Sequence, residues 1–167
     1  MEDFDFIISF DIGIKNLAVC KMNSKKDILI WELLNTNGKI DDIISKLNKL
    51  DLINNCVNNM VYCILLEQQP KYNPKMRIIS AVIETYFKTL NINSNKLHVK
   101  KISSNEKWKP LGIIKFDIDS YYKRKCLSIS LCKNLIISPT WKCHFLSHKK
   151  QDDLADCFLQ GYTYQMI

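Results

Sequence analysis

The stretch ISFDIGIKN, residues Ile8–Asn16, runs an apolar segment straight into a carboxylate at Asp11. Phe4, Phe6, Ile8 and Phe10 alternate ahead of it, which predicts a strand from Phe4 to Phe10 with one face in a core. An acid at the buried end of such a strand needs a partner, a metal ion or a raised pKa. Gly13 follows, where the backbone can turn tightly beside that acid.

Working outward, NLAVCKM (16–22) and DILIWELL (27–34) follow after short polar turns and predict an antiparallel meander of three strands. Ile40, Ile43, Ile44, Leu47 and Leu50 recur at helical spacing and predict a helix over 39–55. VYCILLE (61–67) is a short apolar run of strand formers, as in a covered sheet. The helical period returns over 73–90, with Pro70 and Pro74 marking its start, and KLHVKKI (96–102) predicts a fifth strand. NEKWKPLG reads as a loop. A helix is expected over 119–134, a further short segment before Pro139, and a last helix from about Lys150.

The order βββαβαβ, then helices, is that of a ribonuclease H-like fold: α/β, with a five-stranded mixed sheet flanked by helices, here as a single domain over residues 1–167. In that arrangement the first strand is central and the fourth lies beside it. Asp11 and Glu67 therefore arrive at one edge of the sheet.

The last helix supplies more acids. In KKQDDLADCFLQGY, Asp153 and Asp156 are three apart and share a face, while Leu154, Phe158 and Tyr162 form an apolar stripe. Asp152, four from Asp156, is an alternative. Acids in a first turn are ordinarily explained by the helix dipole, which accounts for Asp152 and Asp153 better than for the deeper Asp156. If Asp11, Glu67, Asp153 and Asp156 converge, they must take up protons or bind cations. All-oxygen ligands suit Mg²⁺ or Mn²⁺. Two such ions about 3.5–4 Å apart activate water and stabilise a leaving oxygen in phosphodiester hydrolysis. A D-x-G motif also occurs in the phosphate loop of actin-like and sugar-kinase ATPases, but those need two lobes and far more than 167 residues.

The net charge of +7 is unevenly placed. Residues 1–67 balance at −3, residues 68–150 at +13 and residues 151–167 at −3. A basic middle beside separate carboxylates predicts a polyanion-binding surface, against the plainer reading of a Lys-rich solvated surface. Lys71, Lys75 and Arg77 are candidates for phosphate contacts that position DNA without reading its sequence. The seven cysteines are odd in number and include no C-x-x-C pair, which argues against a disulfide framework or zinc knuckle and for reduced thiols in a cytosolic compartment. No run approaches a membrane span, and the acidic MEDFDF is unlike a signal peptide, so a protein that is not secreted is expected.

FDIGIKN, LLEQQP and KKQDDLAD together resemble the signatures of the poxvirus Holliday junction resolvases, relatives of RuvC and the mitochondrial resolvases in the ribonuclease H/retroviral integrase superfamily. The motifs span Phe10 to Asp156. The resemblance puts the family's metal-binding and catalytic acids on Asp11, Glu67, Asp153 and Asp156, with Asp152 secondary. It puts a catalytic lysine in YYKRKCLS, on Lys125 after Arg124, with Lys123 as the alternative; Cys126 departs from the family pattern. A cation there would stabilise charge on the phosphoryl oxygens, whereas Lys123, Arg124 and Lys125 as a plain helix face would only track phosphates. The resemblance implies a Mg²⁺-dependent homodimer that resolves four-way junctions and other branched DNA by symmetric nicks with ligatable 5′-phosphate ends. It also implies action at cytoplasmic viral replication sites, on recombination and concatemeric intermediates. A hybrid-directed ribonuclease and a non-catalytic junction binder are the alternatives.

Three other features are open from sequence. Trp108 is either a base-stacking group or a loop anchor. His144 and His148 precede the acidic helix and are expected to pack or lie at the surface. Gln68 and Gln69 are placed at the pocket rim.

Overall fold

A computed structural model describes residues 4–53, 59–90, 96–113 and 120–167. Its elements are β1 (Phe6–Ile12), β2 (Asn16–Asn23), β3 (Ile28–Asn35), α1 (Ile40–Leu50), β4 (Tyr62–Glu67), α2 (Pro74–Leu90), β5 (Leu97–Ile102), a 3-10 helix (Glu106–Leu111), α3 (Tyr121–Leu135), α4 (Pro139–Ser147) and α5 (Gln151–Tyr164). The sheet order is β3-β2-β1-β4-β5. β1 pairs antiparallel with β2, β2 antiparallel with β3, and the β1–β4 and β4–β5 pairs are parallel. The expected mixed five-stranded sheet with a central first strand is what forms.

The period of two along β1 sorts its side chains between two cores. Ile8, Phe10 and Ile12 join Ile64 and Leu66 of β4 beneath α1 and α2, against Ile43, Leu47, Ile79, Ile83 and Phe87. Ile7 and, from β4, Cys63 and Leu65 face the other way, into a core with Trp31, Phe145, Leu154 and Phe158. Asp11 continues the Ile7–Ser9 parity and Glu67 the Cys63–Leu65 parity, so both acids belong to the α5 face.

α5 is the helix that this face grips. The Ser9 hydroxyl donates to the Cys157 carbonyl at 2.6 Å, and Gln160 Nε2 donates to the Leu65 carbonyl at 3.1 Å. At Gly161 an added Cβ would lie 2.8 Å from Ser9 Oγ and 3.2 Å from Met22 Cε, so only glycine lets the helix lie this close to β1 and β2.

Several boundaries and roles differ from the sequence reading. β1 starts at Phe6, and Phe4 packs into the α5-side core instead of continuing the Phe6–Phe10 face. α1 stops at Leu50, because Asp51 takes a left-handed conformation (φ 42°) and closes the last turn; residues 54 and 55 of the expected helix lie outside the described residues. NEKWKPLG is not a loop: residues 106–111 form the 3-10 helix, closed by Gly112 at φ 69°. The expected helix over 119–134 occupies 121–135, and residue 119 lies outside the described residues. The segment expected before Pro139 instead begins at it, with Pro139 in the first turn of α4 and Ser138 as its cap. α5 is buried nearly all round, with Ala155, Cys157, Leu159 and Gly161 enclosed beside the expected stripe, because it lies in the groove between β1, β2 and α3.

None of the six described cysteines is in a disulfide; Cys20, Cys63, Cys132 and Cys157 are buried and Cys126 and Cys143 exposed. Among the described residues no helix is long and apolar enough to cross a membrane.

Candidate active site

β1 and β4 run parallel with Phe10 opposite Leu66, so the next residue of each, Asp11 and Glu67, lies at the same end of adjacent strands on the same face. α5 crosses that face with Cys157 and Gln160 pinned to the strands. One helical turn back, Asp153 and Asp156 lie on the same side of α5 and reach the same edge. All four acids of the sequence reading therefore meet at one place, and each is only partly exposed.

Their electrostatics record the crowding. Burial, then the carboxylates of Asp156 and Glu67, push Asp11 well above the ordinary carboxylate range; Lys107 opposes the rise and Asp153 adds to it. Glu67 is raised by burial, lowered by Lys107 and raised again by Asp156, with a net upward shift. Asp153 is raised by burial and by Asp152, against Lys150 and Lys125. Desolvated, mutually repelling carboxylates favour any cation that can reach them.

One cation already does. Lys107, buried in the 3-10 helix with only 7% of its surface exposed, places Nζ 2.8 Å from Asp156 Oδ1. The Ser128 hydroxyl from α3 donates to the same Oδ1 at 2.7 Å. Sequence reasoning singled out neither residue. With NEKWKPLG taken for a loop, nothing separated Lys107 from Lys109. Folded as a 3-10 helix against α5, Lys107 points inward and Lys109 outward.

Lys125 lies beside the acids but on a different partner. Its Nζ is ion-paired with Asp152 and sits 4.8 Å from the centre of the Tyr121 ring. The bond to Asp152, then that to Tyr121, raises the Lys125 pKa above its ordinary value. For Asp152, burial raises the pKa, but the Lys125 bond outweighs it and the net shift is downward. Asp152 is thus paired with Lys125, while its charge still raises Asp153. Lys123, two residues before Lys125, is exposed, and Arg124 is half-buried.

The remaining candidates sort by exposure. Lys71, Lys75 and Arg77 are exposed on the loop and first turn of α2 that follow Glu67. Gln69 donates its side-chain amide to the Glu67 carbonyl at 3.1 Å, bracing the rim, and Gln68 is exposed with its backbone N–H bonded to Ile102. Gly13 closes a turn through its N–H to the Asn16 carbonyl, which would lie 2.7 Å from an added Cβ. Trp108 is buried, so it is an anchor, not an exposed stacking group. His144 packs between the rings of Trp31 and Trp141 and against His148.

Whether the site suits a metal turns on its donors. They are all carboxylate oxygens, matched in hardness and charge to Mg²⁺ or Mn²⁺. In this arrangement, among the described residues, no group of three or more His, Cys, Asp or Glu side chains is drawn together tightly enough to hold an ion, and Asp156 is engaged by Lys107 and Ser128. The donor chemistry fits, with a lysine ammonium as the present counter-charge.

The model of the family described as "Poxvirus A22 protein" matches residues 5–166. An uncharacterized protein of Acanthamoeba polyphaga mimivirus is 33% identical over 122 residues, covering 60% of this chain. The chain spans only 28% of the length of that curated relative. Among solved structures, the yeast mitochondrial Holliday junction resolvase Ydc2 is similar with a TM-score of 0.60 and 12% identity, over 96% of this chain and 77% of that one. Thermus thermophilus RuvC, solved in complex with a Holliday junction substrate, is similar with a TM-score of 0.60 and 9% identity, over 96% and 92% of the two chains. At such identities the two structures establish the shared fold.

Proposed function

This chain belongs to the Poxvirus A22 protein family, the poxvirus Holliday junction resolvases, and on that basis we propose that it is a metal-dependent, structure-selective DNA endonuclease. The observation that carries the reading is the meeting of Asp11, Glu67, Asp153 and Asp156 at one sheet edge, from three separate elements. Its substrate is the four-way junction, supported by the resolvase family and by a similarly folded RuvC solved with such DNA. The proposed outcome is a pair of symmetric nicks made by a homodimer, leaving 5′-phosphate and 3′-hydroxyl ends. In the viral setting this serves recombination and concatemer resolution at cytoplasmic replication sites.

The four carboxylates would hold Mg²⁺, or Mn²⁺ in its place, in exchange for the Lys107 ammonium. When bound, the ion supplies Lewis acidity toward a phosphodiester oxygen and toward water. Asp11, with its raised pKa, is the acid whose charged form gains most from a cation. Ser128 fixes the orientation of Asp156, and the burial of α5 fixes Asp153 and Asp156 relative to the strands. Once released from Asp156, Lys107 is placed to stabilise negative charge on a phosphoryl oxygen. We assign it the lysine role that the family resemblance put on Lys125, because Lys107 touches the four-acid cluster and Lys125 is bonded to Asp152. Lys71, Lys75 and Arg77, together with Lys123 and Arg124, supply phosphate contacts on either side.

The test is a nicking assay on a mobile four-way junction beside an RNA/DNA hybrid, in Mg²⁺ and in EDTA, with products tested by ligation. Metal-dependent, religatable nicks in the junction are expected. Cleavage of the hybrid alone would make the protein a ribonuclease, and binding without cleavage in Mg²⁺ or Mn²⁺ would make it a junction binder.

A further inference from the structure

α3 lies alongside α5 with its N-terminus beside the acids. Lys125 meets Asp152, and one turn further along Ser128 meets Asp156. One turn in the other direction, before Lys125, the helix opens with two adjacent tyrosines. Tyr121 is 66% and Tyr122 75% exposed, so neither ring is a core residue. The Tyr121 ring is held by the Lys125 ammonium, which is itself anchored on Asp152, next in chain to Asp153. Three bases, Lys123, Arg124 and Lys125, follow the pair directly, and α3 carries no acid along its whole length.

Exposed aromatic faces followed by Lys123 and Arg124, with Lys125 already paired to Asp152, are a poor match for an apolar protein partner. They are a good match for nucleic-acid bases, whose flat faces stack on tyrosine while their phosphates meet the lysines and arginine. We infer that Tyr121 and Tyr122 form a stacking platform for bases exposed next to the cleavage site. Continuous duplex offers no free base face at its side; a branch point does, because stacking is interrupted where strands exchange. The platform therefore contributes preference for branched over linear DNA, while the basic groups contribute affinity to both. The inference rests on the nuclease reading for its location beside the scissile phosphate, but stacking itself is measurable without cleavage. It also moves the stacking role from Trp108, which is buried, to residues that solvent can reach.

The experiment compares the whole chain with the double variants Tyr121→Ala/Tyr122→Ala and Tyr121→Phe/Tyr122→Phe, in EDTA. The probes are a four-way junction carrying 2-aminopurine at the branch point and a linear duplex with the same arm sequence. Wild type and the phenylalanine variant are expected to quench the 2-aminopurine equally, because Phe keeps the ring face. The alanine variant is expected to lose the quench and to bind the junction on the order of tenfold more weakly, with duplex affinity unchanged. Both rings are exposed, so its thermal midpoint should match wild type. Equal weakening on junction and duplex, an undiminished quench, or conversion of a dimer to a monomer in sedimentation would each overturn the platform. Tyrosine-dependent quenching by a protein that never nicks in Mg²⁺ would sink the nuclease reading alone. Nicking with no tyrosine-dependent quench would sink the platform alone.

Discussion

Lys107 Nζ lies 2.8 Å from Asp156 Oδ1, joining a buried lysine of the 3-10 helix to the last acid of α5. Without a metal, this ammonium offsets part of the repulsion at Asp11 and Glu67, while Lys150 and Lys125 act on Asp153. Lys107→Met should therefore destabilise the metal-free protein by about 1–3 kcal/mol, less than for a fully buried pair because Asp156 remains partly exposed. Mg²⁺ should raise the thermal midpoint of this variant more than that of wild type, since the ion no longer competes with the lysine. Calorimetry with and without Mg²⁺ reads both effects; an equal metal-induced rise in the two proteins would mean that lysine and ion do not share the site.

Asp11 carries the heaviest electrostatic load, through burial and the neighbouring Asp156 and Glu67 carboxylates. Asp11→Asn removes one repelling charge and should raise the melting temperature in EDTA. It should also lower junction nicking by roughly 100-fold or more, through loss of a metal ligand, with junction affinity retained. A variant that is stabilised yet still nicks at the wild-type rate would remove Asp11 from the chemistry.

Ser128 is buried and spends its hydroxyl on Asp156 at 2.7 Å. Ser128→Ala should cost about 1.5 kcal/mol of stability, in the range for hydrogen bonds to charged groups. It should also increase the Mg²⁺ concentration needed for half-maximal nicking, because Asp156 loses a contact that orients it. Full retention of metal affinity would reduce Ser128 to a packing residue.

Gly161 allows α5 to reach β1. Gly161→Ala sets a methyl 2.8 Å from Ser9 Oγ and 3.2 Å from Met22 Cε. A destabilisation of about 1–3 kcal/mol is expected by denaturant titration, from overpacking. A variant of wild-type stability would show that this contact relaxes freely.

Lys21 gives a pH signature unconnected with the acids. It is buried on β2, donates to the Leu52 carbonyl at 2.8 Å and lies 4.9 Å from the centre of the Phe6 ring. Burial lowers its pKa below the ordinary 10.5, and Asp51 only partly opposes the shift. Between the lowered folded value and 10.5 the unfolded chain binds more proton at this site, so Lys21 makes stability rise with pH there. In denaturant titrations over the alkaline range, the stability of wild type minus that of Lys21→Met should increase as pH rises toward 10.5. A flat difference would show that the ammonium is not penalised by its burial.

Much of the fold was legible because its signals are local. The alternation through Phe6, Ile8 and Phe10, the apolar run of β4 and the helical period of α2 each express one element's own burial pattern. The order of those elements then implied the sheet order and the neighbouring positions of Asp11 and Glu67. Where the chain departed from expectation, the cause was a local conformation that hydrophobic period does not encode. Asp51 entered the left-handed region and cut α1 short, and a 3-10 helix formed where Pro and Lys suggested a loop.

The sequence by itself pointed to Asp11, Glu67, Asp153 and Asp156 as candidates, with Asp152 as an alternative, because strand order, parity and the three-residue spacing of Asp153 and Asp156 are all one-dimensional facts. Only the tertiary structure decided which cations attend them. The resemblance of the linear chain pointed to Lys125, and nothing in it set Lys107 apart from Lys109. The docking of the 3-10 helix against α5 buries Lys107 on Asp156, and the packing of α3 along α5 holds Lys125 on Asp152. A charge pair across elements depends on where backbones lie to within an ångström or two, and no periodicity in the residues carries that information.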